Sequence, residues 1–328
     1  MRRREFIGLL GSAAATWSSA GHAQSERTRR IGVLISTAQG DPESVRRLTA
    51  FSLGLKELGW IEGEKVRIDY RWGAGDAGRV RRYAAELIAL APDVILGTGG
   101  TTVGPLLQAT RTLPIVFVQV PDPVGAGYVD SLARPGGNAT GFTLFEYGMS
   151  GKWLELLKQV APWVTRAAVL RDAGIASGPG QFGAIQAVAP SFGIELRPIN
   201  VRDAAEIERD IAEFAGGLNG GIVVAASALT AVHSDRIISL AAQYKLPAVY
   251  WQRFYVTGGG LISYGTDLVD QYRLAASYVA RVLSGEKPAE LPVQTPTKYE
   301  LAINLRTAKA LGLTIPPTLL ARADEVVE

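Results

Sequence analysis

Residues 113–118 read LPIVFV and residues 246–250 read LPAVY, so the same Leu-Pro step precedes a short apolar run twice in the chain. Three further apolar, β-branched runs come before each copy, and segments with helical spacing separate them. Short apolar runs predict buried strands, and apolar residues three and four apart predict helices. Each half therefore reads β-α-β-α-β-α-β, which indicates an internal duplication.

The two halves predict the same fold. The predicted strands are 31–35, 66–70, 93–96 and 115–118 in the first half, and 167–170, 194–197, 221–224 and 248–250 in the second. The predicted helices are 44–58, 77–89, 103–110, 183–192, 204–215 and 234–244. Strands that alternate with helices need right-handed crossovers and form parallel sheets. The sequence thus predicts an α/β protein with two doubly wound parallel-sheet lobes joined by hinge segments.

The remaining segments are expected to tie the lobes together. They comprise extended stretches at 138–144 and 260–264, a helix at 271–283, a strand at 299–304 and a helix at 306–311. Hinges are expected near 143–147, 264–267 and 295–298. The predicted domains are a signal peptide at 1–23, an N-lobe of 24–143 plus about 266–296, and a C-lobe of 144–265 plus about 297–328.

Residues 1–23 have the three parts of a secretory signal peptide. Three arginines precede an uncharged core at 6–20, and small residues at 21 and 23 fit a cleavage site. The core is too short and too rich in Ser and Gly for a good membrane span. Residues 3–7, RREFI, resemble a twin-arginine signal, with an ordinary Sec signal as the alternative. The sequence predicts a periplasmic protein.

Composition excludes several kinds of chemistry. The chain has 328 residues, which suggests two domains, and 47% of them are hydrophobic, as in globular proteins. It contains no cysteine, which excludes disulfides, thiolate nucleophiles and iron–sulfur clusters. His22 lies in the predicted signal, and His233 is expected to cap a helix or face solvent. Histidine metal sites and Ser/His/Asp schemes are therefore disfavoured, and we expect neither a cofactor nor an enzyme.

The charge pattern gives no sign of a nucleic-acid partner. The signal segment carries three arginines and one glutamate, so its removal lowers the formal net charge from +3 to about +1. The pair Arg46 and Arg47 and the cluster at 79–82 lie in predicted helices beside acidic residues. We expect these arginines to face solvent, and no nucleic acid to bind them.

Ligands bind open α/β sheets at the carboxyl ends of the strands, so the residues that follow the strands are the candidate site. In the first lobe these are Ser36, Thr37, Thr98, Gly99, Thr101, Thr102 and Asp122. The second lobe adds Asp172, Ser227 and Tyr250, and the expected hinges add Phe145 and Tyr264.

The segment 97–102, GTGGTT, is the most informative of these. Its glycines allow a ligand to approach the backbone, and a helix N-terminus offers free N–H groups and partial positive charge. Such a site suits a carboxylate or another small anion. Thr101 capping its own helix is a compatible alternative. A nicotinamide fingerprint is disfavoured, because the segment follows the third strand and lacks the final glycine.

Other candidates have plainer alternatives. Asp122 precedes a proline and is also typical of a turn. Tyr250 lies in an aromatic-rich stretch with Trp251, Phe254 and Tyr255, and at least two of these four are expected to be core residues. Tyr264 precedes a glycine at an expected crossing, which favours a cleft-lining side chain that meets a ligand as the cleft shuts.

Four motifs carry a resemblance to a known family. They are DPVGAG at 122–127, LARPGGNATG at 132–141, LISYGTD at 261–267 and LSGEKPAELPVQ at 283–294. Together they resemble the ABC transporter substrate-binding family related to tryptophan/tyrosine-binding proteins, of the type I periplasmic binding protein class. The resemblance extends over essentially all of the mature chain.

The resemblance implies a monomeric cleft receptor that serves an ABC permease in the inner membrane. Family members with a known ligand bind aromatic amino acids, with threonines near the carboxylate that correspond here to Thr101 and Thr102. The strand end at 224–228, VAASA, lacks the acidic or Asn residue associated with amine recognition. An amino acid and a carboxylate without an amine both stay open.

The expected function is therefore an exported solute-binding component of an ABC importer that captures a small carboxylate-bearing ligand. An exported α/β oxidoreductase or hydrolase is the alternative, although the absent fingerprint and the single mature histidine oppose it. A ligand-sensing lobe pair of a repressor is opposed by a signal peptide where a DNA-binding domain would lie.

Overall fold

The computed structural model describes residues 27–328, in which two β-sheets are each covered by helices. The predicted signal peptide lies outside the described residues. The strands are β1 (Arg29–Ile35), β2 (Val66–Trp72), β3 (Val94–Thr98), β4 (Ile115–Val120), β5 (Ala139–Thr143), β6 (Arg166–Arg171), β7 (Glu195–Asn200), β8 (Gly220–Val224), β9 (Ala248–Tyr250), β10 (Ile262–Thr266), β11 (Tyr299–Asn304) and β12 (Glu325–Val327).

The helices complete the α/β alternation. They are α1 (Pro42–Glu57), α2 (Ala77–Ala89), α3 (Gly100–Ala109), α4 (Ser150–Val160), α5 (Ser177–Phe192), α6 (Ala204–Ala215), α7 (Ala228–Val232), α8 (Ser234–Gln243), α9 (Arg253–Thr257), α10 (Leu268–Leu283), α11 (Leu305–Ala310) and α12 (Pro317–Leu320). No helix within residues 27–328 combines the length and apolar character that a membrane crossing requires.

The strand order repeats in the two sheets. The first sheet runs β2-β1-β3-β4-β5, and the first five strands of the second run β7-β6-β8-β9-β10 in the same relation. All these neighbours are parallel. We call the first sheet with α1, α2, α3 and α10 the first lobe, and the rest of the described chain from α4 onward the second lobe. The two doubly wound lobes confirm the predicted fold class.

The second sheet departs from a purely parallel arrangement. Strand β11 pairs antiparallel with β10, and β12, which the sequence analysis did not predict, extends the sheet beyond β11. Between β10 and β11 the chain crosses to the other lobe, where it forms α10, and then returns. The two strands are therefore not joined by a crossover within one sheet. The crossover rule that imposes parallel pairing does not apply to them.

Two helices begin earlier than predicted because glycines make their first turns resemble loops. Helix α3 begins at Gly100, so Thr101 and Thr102 lie in its first turn. Helix α5 begins at Ser177, where a Cβ on Gly178 would collide with the Asp172 carbonyl oxygen. Glycine is needed there so that the helix start can approach the loop after β6.

Helix α4 is absent from the sequence prediction although its spacing is helical. Trp153, Leu154, Leu157 and Val160 recur three and four residues apart and are all buried in the second-lobe core. The Trp153 indole N–H donates to the Tyr264 carbonyl oxygen at 2.7 Å, which ties α4 to β10.

Helix α10 covers the first sheet although it follows the second-lobe strand β10 in the chain. A Cβ on Gly54 would lie 2.9 Å from the Ala276 Cβ, so α1 and α10 are in close contact. Asp41 caps α1 by accepting from the Ser44 N–H at 2.7 Å, and Pro42 occupies the first turn. The distant helix thus completes the first-lobe core.

Three connections join the lobes and lie beside one another. The Thr266 hydroxyl donates to the Leu144 carbonyl oxygen at 2.5 Å, and the Thr143 N–H donates to the Gln294 carbonyl oxygen at 2.9 Å. The Asp267 N–H donates to the Lys298 carbonyl oxygen at 3.1 Å. These bonds link the β5–α4, β10–α10 and α10–β11 connections.

Candidate functional site

The carboxyl ends of β1, β3 and β4 meet at one edge of the first lobe, which we call the first-lobe edge. The Ser36 N–H donates to the Thr98 hydroxyl oxygen at 3.0 Å, and the Gly99 N–H donates to the Val118 carbonyl oxygen at 2.8 Å. The Thr37 and Ser44 hydroxyl oxygens are 2.6 Å apart. The structure therefore brings together the predicted site residues Ser36, Thr98 and Gly99, with Thr37 bonded to the start of α1.

The two threonines of the GTGGTT segment have different surroundings. Thr101 is exposed in the first turn of α3, whereas Thr102 is fully buried. The Thr102 hydroxyl lies 3.0 Å from the Thr98 carbonyl oxygen and 3.1 Å from the Gly99 carbonyl oxygen, so it bonds the backbone. Gly99 precedes α3 with a φ of 77° and provides no side-chain cap. Thr101 and the first N–H groups of α3 are thus the donors that this edge presents outward.

A polar layer behind the first-lobe edge was not predicted from the sequence. The Gln119 N–H donates to the Gln271 side-chain oxygen at 3.0 Å, and the Tyr272 hydroxyl donates to the Gln119 side-chain oxygen at 3.2 Å. Burial raises the pKa of Tyr272 to about 12, against the opposing effects of Arg47 and Thr98, so this hydroxyl stays protonated. Gln119 is visible in the sequence as a polar interruption of an apolar strand, but its partners come from distant α10.

Arg47 corrects the expectation that both arginines of its pair face solvent. The Arg47 side chain is only 9% exposed, whereas the Arg46 side chain is 46% exposed. Both lie beside Glu43, and that local acidic neighbour suggested two solvated ion pairs. Arg47 instead shares the buried stripe of α1 with Leu48 and Phe51, because α10 covers that stripe.

The corresponding edge of the second lobe, formed by the ends of β6, β8 and β9, is closed by internal hydrogen bonds. Gln181 of α5 is fully buried; its side-chain oxygen accepts from the Ala226 N–H at 2.7 Å, and its side-chain N–H donates to the Ala226 carbonyl oxygen at 3.0 Å. The Ser227 hydroxyl accepts from the Thr230 N–H and caps α7, and Asp172 accepts from the Gly174 N–H. Gln181 was missed because it lies in a glycine-rich stretch before the predicted helix at 183–192, which reads as a loop.

A hydrogen bond links the two edges. The Tyr147 hydroxyl, from the connection into α4, donates to Asp122 Oδ2 at 3.0 Å, and the Gly125 N–H donates to Asp122 Oδ1 at 2.7 Å. A Cβ on Gly180 would lie 2.6 Å from the Tyr147 ring, so this ring packs on α5 of the second lobe. Burial, and then the Asp122 carboxylate, raise the pKa of Tyr147 above its ordinary value.

The predicted aromatic candidates lie in packed surroundings. Tyr250 is 1% exposed and stacks on Tyr255 with ring centroids 4.7 Å apart, and Phe145 is buried against Trp153. The Tyr264 ring stacks on Tyr299 at 5.6 Å. Tyr250 is the last residue of β9, but its ring is packed in the core and is not presented at the second-lobe edge. The role of Tyr264 in ligand contact stays a prediction.

A surface pocket lies elsewhere, between α10 and the connection that leads into β11. Its walls include Gln271, Tyr278, Gln294 and Lys298, and none of the predicted site residues lines it.

Within residues 27–328, no group of three or more His, Cys, Asp or Glu side chains is arranged to hold a metal ion.

Comparison with known proteins identifies the family. The family described as ABC transporter substrate binding protein matches residues 40–327. A tyrosine-binding protein of Clostridioides difficile is 26% identical over 290 residues, covering 88% of this chain and 82% of that protein.

Two solved structures are similar over 92% of this chain and all of theirs, each with a TM-score of 0.84. One is a conserved domain protein from Vibrio cholerae, 30% identical, and the other is an ABC domain in complex with L-Trp from Streptococcus pneumonia, 27% identical. The chain belongs to the ABC transporter substrate binding protein family, whose members bind solutes and are not enzymes.

Proposed function

We propose that this ABC transporter substrate-binding protein captures a small ligand with a carboxylate and an aromatic side chain between the first-lobe edge and the second-lobe edge. The observation that carries the proposal is the first turn of α3. Gly99 leaves its N–H groups without a side-chain cap, and the exposed Thr101 hydroxyl lies beside them. Uncapped N–H groups at a helix N-terminus attract anions.

The relatives support an aromatic amino acid as the ligand. One relative is named for tyrosine, and one similar structure contains L-Trp. On this chain the amine would have to be met by Asp122 or Asp172, because the β8 end offers only Ala225, Ala226 and the capping Ser227. A carboxylate without an amine is the second form of the ligand to test.

The donors are numerous enough for useful affinity. A dissociation constant of about 1 μM corresponds to about −8 kcal/mol. Each hydrogen bond to a charged group contributes about 1.5–3 kcal/mol. Thr101 and two N–H groups of α3, together with burial of one aromatic ring, would reach that value after the cost of ordering the ligand.

The ligand class is tested with purified mature protein and four probes. L-Tryptophan and L-tyrosine have both groups, indole-3-propionate lacks the amine, and tryptamine lacks the carboxylate. We expect calorimetric binding of the first two, weaker or equal binding of indole-3-propionate, and none of tryptamine. Binding of tryptamine as tightly as L-tryptophan would contradict the carboxylate proposal.

We further propose that the two lobes move as rigid bodies with the domain limits given by the sequence, because packed cores resist deformation while connecting residues absorb dihedral changes. A saturating ligand should then reduce the radius of gyration in solution scattering, and Tyr264→Ala should lower affinity without unfolding the protein. Identical scattering with and without ligand would contradict closure.

The working environment is proposed to be the periplasm, with the protein delivering its ligand as a monomer to the permease of an ABC importer. The support is the signal-like segment at 1–23 and the family itself. Mass spectrometry of periplasmic protein should find an N-terminus near Gln24. If export stops when the twin-arginine pathway is blocked but continues when Sec is blocked, the protein is exported by the twin-arginine pathway.

A further inference from the structure

Arg47 is a buried cation that the fold leaves without a hydrogen-bond partner. Its side chain is 9% exposed, and its nearest acidic group is Glu43 Oε2, 3.7 Å away. Nε is fully buried and unpartnered, and within residues 27–328 the guanidinium forms no hydrogen bond. A buried guanidinium normally has a bidentate carboxylate or phosphate partner, because a buried charge without one is costly.

The position of Arg47 on α1 directs it toward the first-lobe edge. Helical side chains lean toward the N-terminus of their helix, so Arg47 extends over the turn that carries Ser44. Ser44 is itself buried and its hydroxyl meets that of Thr37, the second residue after β1. The charge of Arg47 also acts on Tyr272, whose hydroxyl bonds Gln119 near the end of β4, so Arg47 lies close to the residues of the first-lobe edge.

The groups around Arg47 give its guanidinium no hydrogen bond, and the ion pair with Glu43 is long, at 3.7 Å. From α10, Tyr272 faces it with a hydroxyl that bonds Gln119 and stays protonated. Asp41, at the start of α1, has one oxygen engaged with the Ser44 N–H in the helix cap. Glu43 is shared with Arg46, whose guanidinium is nearer to it, at 3.1 Å.

We propose that Arg47 is the specificity-determining cation of the binding site and that its partner is the carboxylate of the ligand. The inference rests on the proposed function, because it names the residue that recognises the carboxylate of that ligand. Arg47 would supply a full charge from α1, while Thr101 and the α3 N–H groups supply hydrogen bonds from β3. The planar guanidinium suits a carboxylate better than an ammonium does.

The test compares Arg47→Met with Arg46→Met. Arg46 is the matched control because it lies next to Arg47 on α1 and also forms an ion pair with Glu43. We expect Arg47→Met to weaken L-tryptophan and indole-3-propionate on the order of 30-fold, from the loss of a charged partner. Arg46→Met should stay within about twofold, because an exposed ion pair contributes little. If Arg47→Met fails to fold, Arg47→Lys replaces it, with a loss of about tenfold expected because the bidentate geometry is absent.

The inference would be overturned if Arg47→Met bound both carboxylate probes with unchanged affinity. The same holds for Arg47→Lys where that variant replaces it. Either result would leave the proposed function intact. If the wild-type protein binds none of the four probes, the proposed ligand class fails, and thermal unfolding decides about Arg47. An unpartnered charge predicts that Arg47→Met melts at or above the wild-type temperature. A lower melting temperature that Arg46→Met does not share would show a structural ion pair with Glu43 and would overturn the inference.

Discussion

The first-lobe edge and the second-lobe edge have the same strand order but use their polar groups in opposite ways. At the first, Thr101 and the start of α3 are free to bond a ligand, and the Arg47 guanidinium forms no hydrogen bond. At the second, Gln181 and Ser227 are bonded within the lobe. A duplicated topology therefore provides one edge with unsatisfied donors and one edge where Gln181 and Ser227 are satisfied within the lobe.

The difference assigns separate tasks to the two edges. Unsatisfied donors in the first lobe can bind a charged group without first breaking protein bonds. The second lobe, where Gln181 and Ser227 are already paired, offers packing and a rigid surface that closes over the ligand, and Asp172 is its one proposed polar contact. Substitutions at the second edge should then mainly lower stability, and substitutions at the first should mainly lower affinity.

The largest expected effect is at Gln181. Gln181→Leu would leave the buried N–H and carbonyl of Ala226 unpaired, at about 1–3 kcal/mol each, so the free energy of unfolding should fall by about 2–6 kcal/mol. Urea denaturation measures it. The matched control is Gln243→Leu, an exposed glutamine at the end of α8, for which less than about 0.5 kcal/mol is expected. Equal losses in the two variants would contradict the structural role.

The adjacent threonines sharpen the contrast within the first edge. Thr101→Val should weaken binding of L-tryptophan by about tenfold or more, because one hydrogen bond to a charged group is lost, and should leave stability unchanged. Thr102→Val should instead lower the unfolding free energy by about 1 kcal/mol, since its hydroxyl bonds the backbone. Calorimetry and denaturation on the same samples separate the effects. If Thr102→Val weakened binding and Thr101→Val lowered stability instead, Thr102 would have to reorient to bind the ligand.

The sequence predicts the elements of both edges but not this difference between them. The bounds of α2, α6, β9 and β11 agree with the predicted ranges, because periodicity and flanking breakers are local signals. Whether a hydroxyl or a charge is free depends on what packs over it. The burial of Arg47 requires α10, and the bonds of Gln181 require the end of β8. No local pattern in either helix indicates these partners.

A smaller effect is expected at the bond between the edges. Tyr147→Phe removes the hydroxyl that donates to Asp122. The closed arrangement of the lobes should be destabilised by about 1 kcal/mol, and ligand affinity should fall about fivefold. The radius of gyration without ligand should rise. Tyr244→Phe is the control, since Tyr244 lies outside the proposed site and its hydroxyl forms no hydrogen bond within the described residues. An unchanged radius and affinity in Tyr147→Phe would show that the bond does not hold the lobes together.

The smallest effect is a pH dependence of stability that arises at the connections between the two lobes. Burial alone would raise the pKa of Asp267, but hydrogen bonds from Lys298 at 2.5 Å and from the Asp270 N–H at 2.9 Å outweigh it, and the pKa is lowered. A carboxyl group with a lowered folded-state pKa stabilises the fold above its unfolded pKa of about 3.9, and loses that contribution as pH falls through the folded value.

Lys298→Met should therefore reduce stability at pH 7, by less than about 1 kcal/mol because Lys298 is 63% exposed. The difference from wild type should shrink once the pH falls below about 4, where Asp267 becomes protonated in the variant first. Urea denaturation at several pH values measures this. Lys287→Met, at an exposed lysine with no ion pair within the described residues, should show no such trend. A stability loss in Lys298→Met that is the same at every pH would mean that the lysine acts through packing of its stem and not through the Asp267 charge.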